Sequence, residues 1–363
     1  MNLASYRLHA SVTWRLREHT LDISSSIIGA KLRIQVPQPE NTKKLLSLMA
    51  GFGDVAEVEA ILAAEANQDL LSILESLESR GMLLPRKLSD QRYESPSDNL
   101  SDRQARFFNS FENESSSGAS YLETLRSKKV AVFGLGGFGS WLVLLCDRIG
   151  MGTIVGVDFD HVELSNLPRQ VLFGRRHLGM KKVDACQEAV LEAGMGTVFT
   201  GIDCQVETVE QARDILKTCD LAFIPFGHTP LRKIHNHVSG YIAKACVDLG
   251  IPYLFVGANM VGPLWIPRQN IPCYFCLLGA LDQMDGIDPA GRSPLVAKRA
   301  FAPPIAASCS RAVWDAAGFL TGAYIPHSLG RVLGTNWLRS SETFLVDAPS
   351  GVHGCDVCGR NAP

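Results

Sequence analysis

The sequence predicts an α/β protein, a mainly parallel sheet with helices on both faces, preceded by a small α+β domain. Three observations predict it. From Lys128 onward, short apolar, β-branched runs alternate with helical segments, the rhythm of a parallel sheet buried on both faces. A glycine cluster, Gly134-Leu-Gly136-Gly137-Phe-Gly139, separates the first run from the first helical segment. Residues 1–88, by contrast, carry an alternating strand pattern and two leucine-rich helices, ending in Arg80-Gly-Met-Leu-Leu-Pro85.

In the N-terminal part, Ala30-Lys-Leu-Arg-Ile-Gln-Val36 alternates apolar and polar residues, as a half-buried strand does. An earlier strand is expected over Val12–Ile23. Helices are expected at Thr42–Ala50 and Asn67–Arg80, the second with Leu70, Leu71, Leu74 and Leu77 on one face, Asn67 as N-cap and Gly81 as stop. Together these make a winged-helix-like unit over 1–88. Residues 89–120 are polar and Ser-rich, a linker by composition. Within it, Ser101-x-x-Gln104 reads as a capping box opening a short helix that bears Arg103, Arg106, Phe107 and Phe108.

Residues 121–363 form the larger domain. Strands are expected at Val130–Phe133, Thr153–Val157, Val198–Ile202, Leu221–Phe226 and Tyr253–Val256. Helices are expected at Gly137–Arg148, Lys181–Ala193, Val209–Lys217 and Leu231–Leu249. Leu281–Ala302 reads as a mobile loop.

The composition narrows the class. A chain of 363 residues with 46% hydrophobic and 20% charged residues has the balance of a globular protein of two domains. Lys+Arg 35 against Asp+Glu 37 leaves a net charge of −2, which gives no support for nucleic acid as a partner. The longest uncharged stretch, Val130–Cys146, is broken by glycines and shorter than the roughly 20 residues of a membrane span. No secretory signal core follows the first residues. The expectation is therefore a cytoplasmic protein with reduced thiols and no membrane partner.

The glycines Gly134, Gly136, Gly137 and Gly139 allow a tight turn in which backbone N–H groups at a helix start face a phosphate. Asp158 ends the next strand roughly 20 residues on, where a carboxylate suits a ribose hydroxyl. This Rossmann-like pattern does not choose between ATP and NAD, and an NAD-dependent oxidoreductase stays open on it. Cys273-x-x-Cys276 and Cys355-x-x-Cys358 supply two close pairs of thiolates, the spacing of a structural tetrahedral zinc with no open position. Unliganded thiols or one disulfide are the alternatives. Cys309 lies in an apolar helical stretch and reads as a core residue, and His235-Asn-His237 carries no weight.

The segment Asp158-Phe-Asp160-His-Val-Glu-Leu-Ser-Asn166-Leu-Pro-Arg169-Gln170, followed by Gly179-Met-Lys-Lys182, resembles the signature of the ThiF-type, ubiquitin-activating-like adenylating enzymes. The resemblance implies ATP with Mg2+, Asp158 on the ribose, Asp160 and Gln170 in the nucleotide site, and Asn166, Arg169 and Lys182 around the phosphates. It also implies that Arg106 is supplied across a homodimer interface. One departure stands out: the family's usual aspartate after the fourth strand is absent, and His228 lies near that place.

"RQARFF", "NLPRQVLF", "VGPLWIP", "FAPPIAAS" and "CDVCGRNAP" are similar to stretches of the MccB-like, peptide-modifying branch of that family. The length and organisation also resemble those of the pantocin A pathway branch. That resemblance implies that residues 1–88 are a peptide clamp for the leader of a ribosomally made precursor peptide. The activity it implies is ATP-dependent activation of a peptide carboxylate, a Glu side chain being one candidate. The acyl-adenylate then undergoes intramolecular cyclisation or condensation, in peptide antibiotic biosynthesis. The alternatives are a sulfur-carrier or ubiquitin-like protein activating enzyme, the oxidoreductase above, and a non-catalytic peptide-binding protein.

Overall fold

The computed structural model describes residues 3–51, 53–64, 68–86, 100–225, 237–257, 260–267, 271–273, 275–276, 300–335, 343–347 and 357–358. They belong to two compact units, Met1–Glu123 and Thr124–Pro363.

The first unit begins with strands β1 (Tyr6–Leu8), β2 (Thr13–Arg17), β3 (Thr20–Ser25) and β4 (Ala30–Gln35). Helices α1 (Pro39–Ala50), α2 (Val55–Ala63) and α3 (Gln68–Glu78) follow, then β5 (Leu83–Pro85). β2, β3 and β4 form an antiparallel meander, while β1 and β5 pair as a separate antiparallel ribbon. The single strand expected over Val12–Ile23 is in fact a hairpin, β2–β3. Its turn passes through Glu18 at φ 49°, a left-handed position where Gly or Asn would have signalled the turn. On α3, Leu70, Leu74 and Leu77 are buried with Ile73, while Leu71 is 37% exposed. Ile73 rather than Leu71 completes the i, i+3, i+4, i+7 stripe. Gly81, at φ +68°, ends the helix as expected, with Met82 N–H donating to Leu77 O. α2 had no sequence expectation; the Asp54 side chain caps it by accepting from Ala56 N–H.

Residues 100–120, linker-like in composition, are built into this unit. α4 (Asp102–Phe108) is followed by α5 (Gly118–Ser127). Phe108 packs 5.9 Å from Tyr121, and Asn109 Oδ1 accepts from Gly118 N–H at 2.7 Å. Arg7 donates to both carboxylate oxygens of Glu112 in a buried pair. Ser101 itself has helical backbone angles, so the expected capping box does not take its extended geometry.

The second unit holds strands β6 (Lys129–Phe133), β7 (Thr153–Val157), β8 (Val198–Ile202), β9 (Leu221–Pro225) and β10 (Tyr253–Val256). Strands β11 (Met260–Trp265), β12 (Arg331–Thr335) and β13 (Thr343–Asp347) complete it. Its helices are α6 (Gly137–Arg148), α7 (Lys182–Ala193), α8 (Val209–Leu216), α9 (Val238–Leu249) and α10 (Ala302–Thr321). The sheet order is β13-β12-β11-β10-β9-β6-β7-β8, with β8, β7, β6, β9 and β10 mutually parallel and the remaining three antiparallel. Both sheet faces are covered. Ala131, Phe133, Val155, Ile224 and Phe255 pack with Ala212, Leu216 and Ile242 of α8 and α9. Their strand neighbours Val130, Val132, Ile154 and Leu254 are buried on the opposite face, where α6 and α10 lie. The order of strand addition switches sides at β6, with β7 and β8 on one side and β9 and β10 on the other, and the crevice at the carboxyl ends of β6 and β9 is where a ligand fits such a sheet.

Candidate functional site

A cleft of about 700 Å³ opens at this crevice, lined by Gly134, Gly136, Gly137, Gly139, Asp158, Asp160 and Lys182. Gly134 sits at φ +85° and donates its N–H to Val157 O, so the loop turns sharply off β6. At Gly139 a Cβ would stand 1.8 Å from Gly134 O. Only glycine lets α6 begin so close to the strand it leaves. The N-terminal end of α6 therefore offers backbone N–H groups and the positive end of its dipole to the cleft.

Asp158, at the end of β7, is buried and holds the loop. Its Oδ2 accepts from Leu135 N–H at 2.6 Å and its Oδ1 from Asp160 N–H at 2.8 Å. Lys182 opens α7 and is 5% exposed. Its Nζ donates to Asp160 Oδ2 at 2.7 Å and lies 3.9 Å from Asp158 Oδ1. Lys182 thus lies against two carboxylates at the lining of the cleft.

The segment between β7 and α7 brings Arg169 and Gln170 near the glycines and buries Asn166. Arg169 side-chain carbons come within 3.8 Å of the position a Cβ on Gly137 would take, and Arg169 Nη1 donates to Ser165 O at 2.5 Å. Trp141 Nε1 on α6 donates to Arg169 O. Asn166 is buried, accepting from Glu163 N–H through Oδ1. Gln170 is 3% exposed, and its Oε1 is buried with no hydrogen-bond partner among the described residues. Gln170 Nε2 lies 3.8 Å from where a Gly136 Cβ would be. A buried acceptor unpaired among the described residues, beside the glycine turn, fits a ligand that donates a hydrogen bond.

Arg106 lies in the first unit, where its Nε donates to Asp102 Oδ2 at 2.9 Å along α4. His228 and the 281–299 part of the expected loop lie outside the described residues; Ala302 already begins α10. Sequence reasoning missed the far wall of the cleft, formed by Cys204, Glu207, His237 and Tyr241. They follow β8 or stand at the start of α9; only His237 falls in a stretch noted above, His235-Asn-His237, which carried no weight. Burial lowers the pKa of His237 from its ordinary value.

A second grouping gathers cysteines. Cys273, Cys276 and Cys358 bring their sulfurs within 4.8 Å of one another, with Cys276 Sγ 3.6 Å from both Cys273 Sγ and Cys358 Sγ. Tetrahedral Zn–S bonds of about 2.3 Å put sulfurs about 3.8 Å apart, so this donor set fits zinc. Cys355 lies outside the described residues. Cys309 is fully buried in α10 with its Sγ 3.5 Å from Phe138 O, and desolvation pushes its thiol pKa well up. It is placed as a core residue, not as a nucleophile.

Comparison with known proteins agrees with this architecture. Residues 102–349 match the ThiF family. The chain is 28% identical over 160 residues to the molybdopterin-synthase adenylyltransferase of Salmonella typhimurium, covering 43% of this chain and 60% of that enzyme. Among solved structures it is similar to E. coli MccB with AMPCPP and MccA, at TM-score 0.74 and 21% identity, over 98% of this chain and 99% of that one. It is similar also to PaaA, at TM-score 0.69 and 20% identity, over 93% and 98%. The chain spans 23%, 60% and 32% of the length of three curated relatives that it matches.

Proposed function

The chain belongs to the ThiF family, and on that premise we propose that it is an ATP-dependent, AMP-forming enzyme that activates a carboxylate of a ribosomally made precursor peptide. The observation that carries the reading is the cleft itself. The α6 N-terminus and the buried Lys182 both line it, and the Gln170 acceptor lies unpaired beside it.

Attack by a carboxylate oxygen on the α-phosphorus forms a P–O bond and breaks the bond to pyrophosphate. Two anions meet, and charge gathers on the phosphate oxygens. Helix-end N–H groups, Lys182 and Arg169 answer that charge, with Asn166 and Gln170 orienting and Asp158 held for the ribose. A nucleophile of the same peptide then attacks the acyl carbon and releases AMP. Holding donor and acceptor on one chain supplies proximity. Magnesium accompanies ATP as the counter-ion of its phosphates. Asp158 and Asp160, the two expected carboxylates of the cleft, are already engaged by Leu135 N–H, Asp160 N–H and Lys182. Zinc on the four cysteines would be structural, since four thiolates close the coordination sphere.

The peptide reading is supported by the architecture: MccB, whose fold covers both units, is solved with ATP and with N-formylated MccA and is described as a microcin C7 biosynthetic enzyme. Residues 1–88 would then hold the leader, and the protein would work as a homodimer in the cytoplasm. The test is a thermal-shift titration with ATP–Mg2+ and, separately, NAD, on the wild type and Lys182→Ala, followed by ATP–pyrophosphate exchange. An ATP-selective shift weakened in Lys182→Ala, with exchange stimulated by a precursor peptide, is expected. A shift with NAD alone overturns the reading. Exchange driven by a small sulfur-carrier or ubiquitin-like protein instead of a peptide transfers it to that branch.

A further inference from the structure

The β2–β3–β4 meander has one face in the core and one in solvent. Trp14, Leu16, Leu21, Ile23, Leu32 and Ile34 turn inward to the apolar cluster of the first unit. The register fixes what the outer face carries. Arg15, Asp22 and Arg33 lie in one cross-strand row; Thr13, Ser24 and Lys31 form the row on one side, and Arg17, Thr20 and Gln35 the row on the other. Arg15, Arg17, Lys31 and Arg33 are all exposed. Four cations thus share a small face with one carboxylate, with Glu18 in the hairpin turn beyond, on a chain whose net charge is −2. Asp22 is already taken by Arg33, through bonds of 2.5 and 3.1 Å. Beyond the backbone ladder, the side chains of Arg15 and Arg17 make no hydrogen bond or ion pair with another described residue.

β2 and β4 are the two edges of this sheet, and each presents cations two residues apart: Arg15 and Arg17 on one, Lys31 and Arg33 on the other. Side chains of a strand added at either edge alternate between faces, so those at i and i+2 share the outer face. We propose that this face selects an extended acidic peptide, with carboxylate side chains at alternate positions. The inference rests on the reading that the first unit holds a precursor peptide, and it adds what that peptide must carry. Cations at that spacing pair with carboxylates across the strands, and like charges there would repel. Nucleic acid is the rival occupant of a basic surface. Against it, the face is a few rows wide, interleaved with Thr and Ser, and carries no exposed aromatic ring on which a base would stack.

The test uses the full-length protein without ATP and a short fluorescein-labelled peptide with glutamate at alternate positions, read by anisotropy. Its partners are an isomer with the glutamates adjacent, a glutamine version, and an oligothymidylate. Protein variants are Arg15→Gln/Arg17→Gln and Lys31→Gln/Arg33→Gln. The alternating peptide is expected to bind at least about tenfold tighter than the isomer or the glutamine version. One of the two double variants should abolish that preference and so identify the edge. Because the peptide comparison is made on unaltered protein, it holds even if a variant folds poorly. Equal binding of the three peptides overturns the proposal, as does tighter binding of the oligothymidylate. Acid-selective binding without any ATP–pyrophosphate exchange supports this face while overturning the adenylation reading. Exchange stimulated by a precursor peptide, together with charge-blind binding, does the reverse.

Discussion

The carboxylate of Asp158 ties the glycine turn to the end of its neighbouring strand: Oδ2 accepts from Leu135 N–H at 2.6 Å, across 23 positions of sequence. Since Oδ1 also accepts from Asp160 N–H, Asp158→Ala leaves two amides without their acceptor. A buried donor left unsatisfied costs about 1–3 kcal/mol. Urea unfolding should show Asp158→Ala destabilised by about 2–4 kcal/mol, with Asp158→Asn, which keeps one acceptor, losing less. Equal stability of Asp158→Ala and wild type would contradict this role.

Lys182 and Arg106 lie in different units, and the family resemblance implies that both serve one reaction. Lys182→Ala and Arg106→Ala should each lower ATP–pyrophosphate exchange at least about tenfold. If Arg106 serves the partner protomer's cleft, mixing the two inactive variants restores activity to some mixed dimers. No recovery despite verified subunit exchange would place Arg106 elsewhere.

The cysteine cluster makes a prediction about metal content. Elemental analysis should find one zinc per chain in wild type, and a deficit in Cys276→Ser accompanied by a lower melting temperature. Cys309→Ser should retain both metal and exchange activity. Burial raises the Cys309 thiol well above its ordinary pKa, so iodoacetamide should label it only after unfolding.

His9 gives the first unit a pH dependence. Burial lowers its pKa below the ordinary 6.5, outweighing its bond to Glu112 O. Between the folded value and 6.5 the unfolded chain binds more protons than the native one. Stability therefore rises with pH through that window and is lost as pH falls through it. Hydrogen exchange over residues 9–25 should report weaker protection at pH 5 than at pH 7. His9→Gln should flatten that difference; an unchanged slope would assign it to another group.

The parallel core was legible because each of its signals is local. Val130–Phe133 into Gly134 and Gly136 states a strand and a turn within ten residues, and Gly137–Arg148 begins and ends where its glycine and basic residue say. The C-terminal antiparallel strands were not legible. Gly262 and Pro263 lie within β11, and such residues argue against a strand in any local reading. The hairpin at Glu18 failed for the converse reason, a left-handed turn filled by a residue that does not announce one. In the cleft, the glycines, Asp158, Asp160 and Lys182, all marked by motif, line one wall. Those on the other, Glu207 and Tyr241, arrive through tertiary packing alone.

Cys276 and Cys358 stand 82 positions apart in the chain, yet their sulfurs are neighbours. A metal held between them would tether everything between, including α10 and the strands β12 and β13 at the antiparallel edge of the sheet. Closing a loop of that length removes chain entropy from the unfolded ensemble equivalent to about 4–5 kcal/mol, if the cross-link behaves as a covalent one. Zinc would then act on the protein's persistence rather than on its chemistry. Chelation would first release the C-terminal edge of the sheet, while the glycine turn after β6, within the parallel strands, keeps its shape.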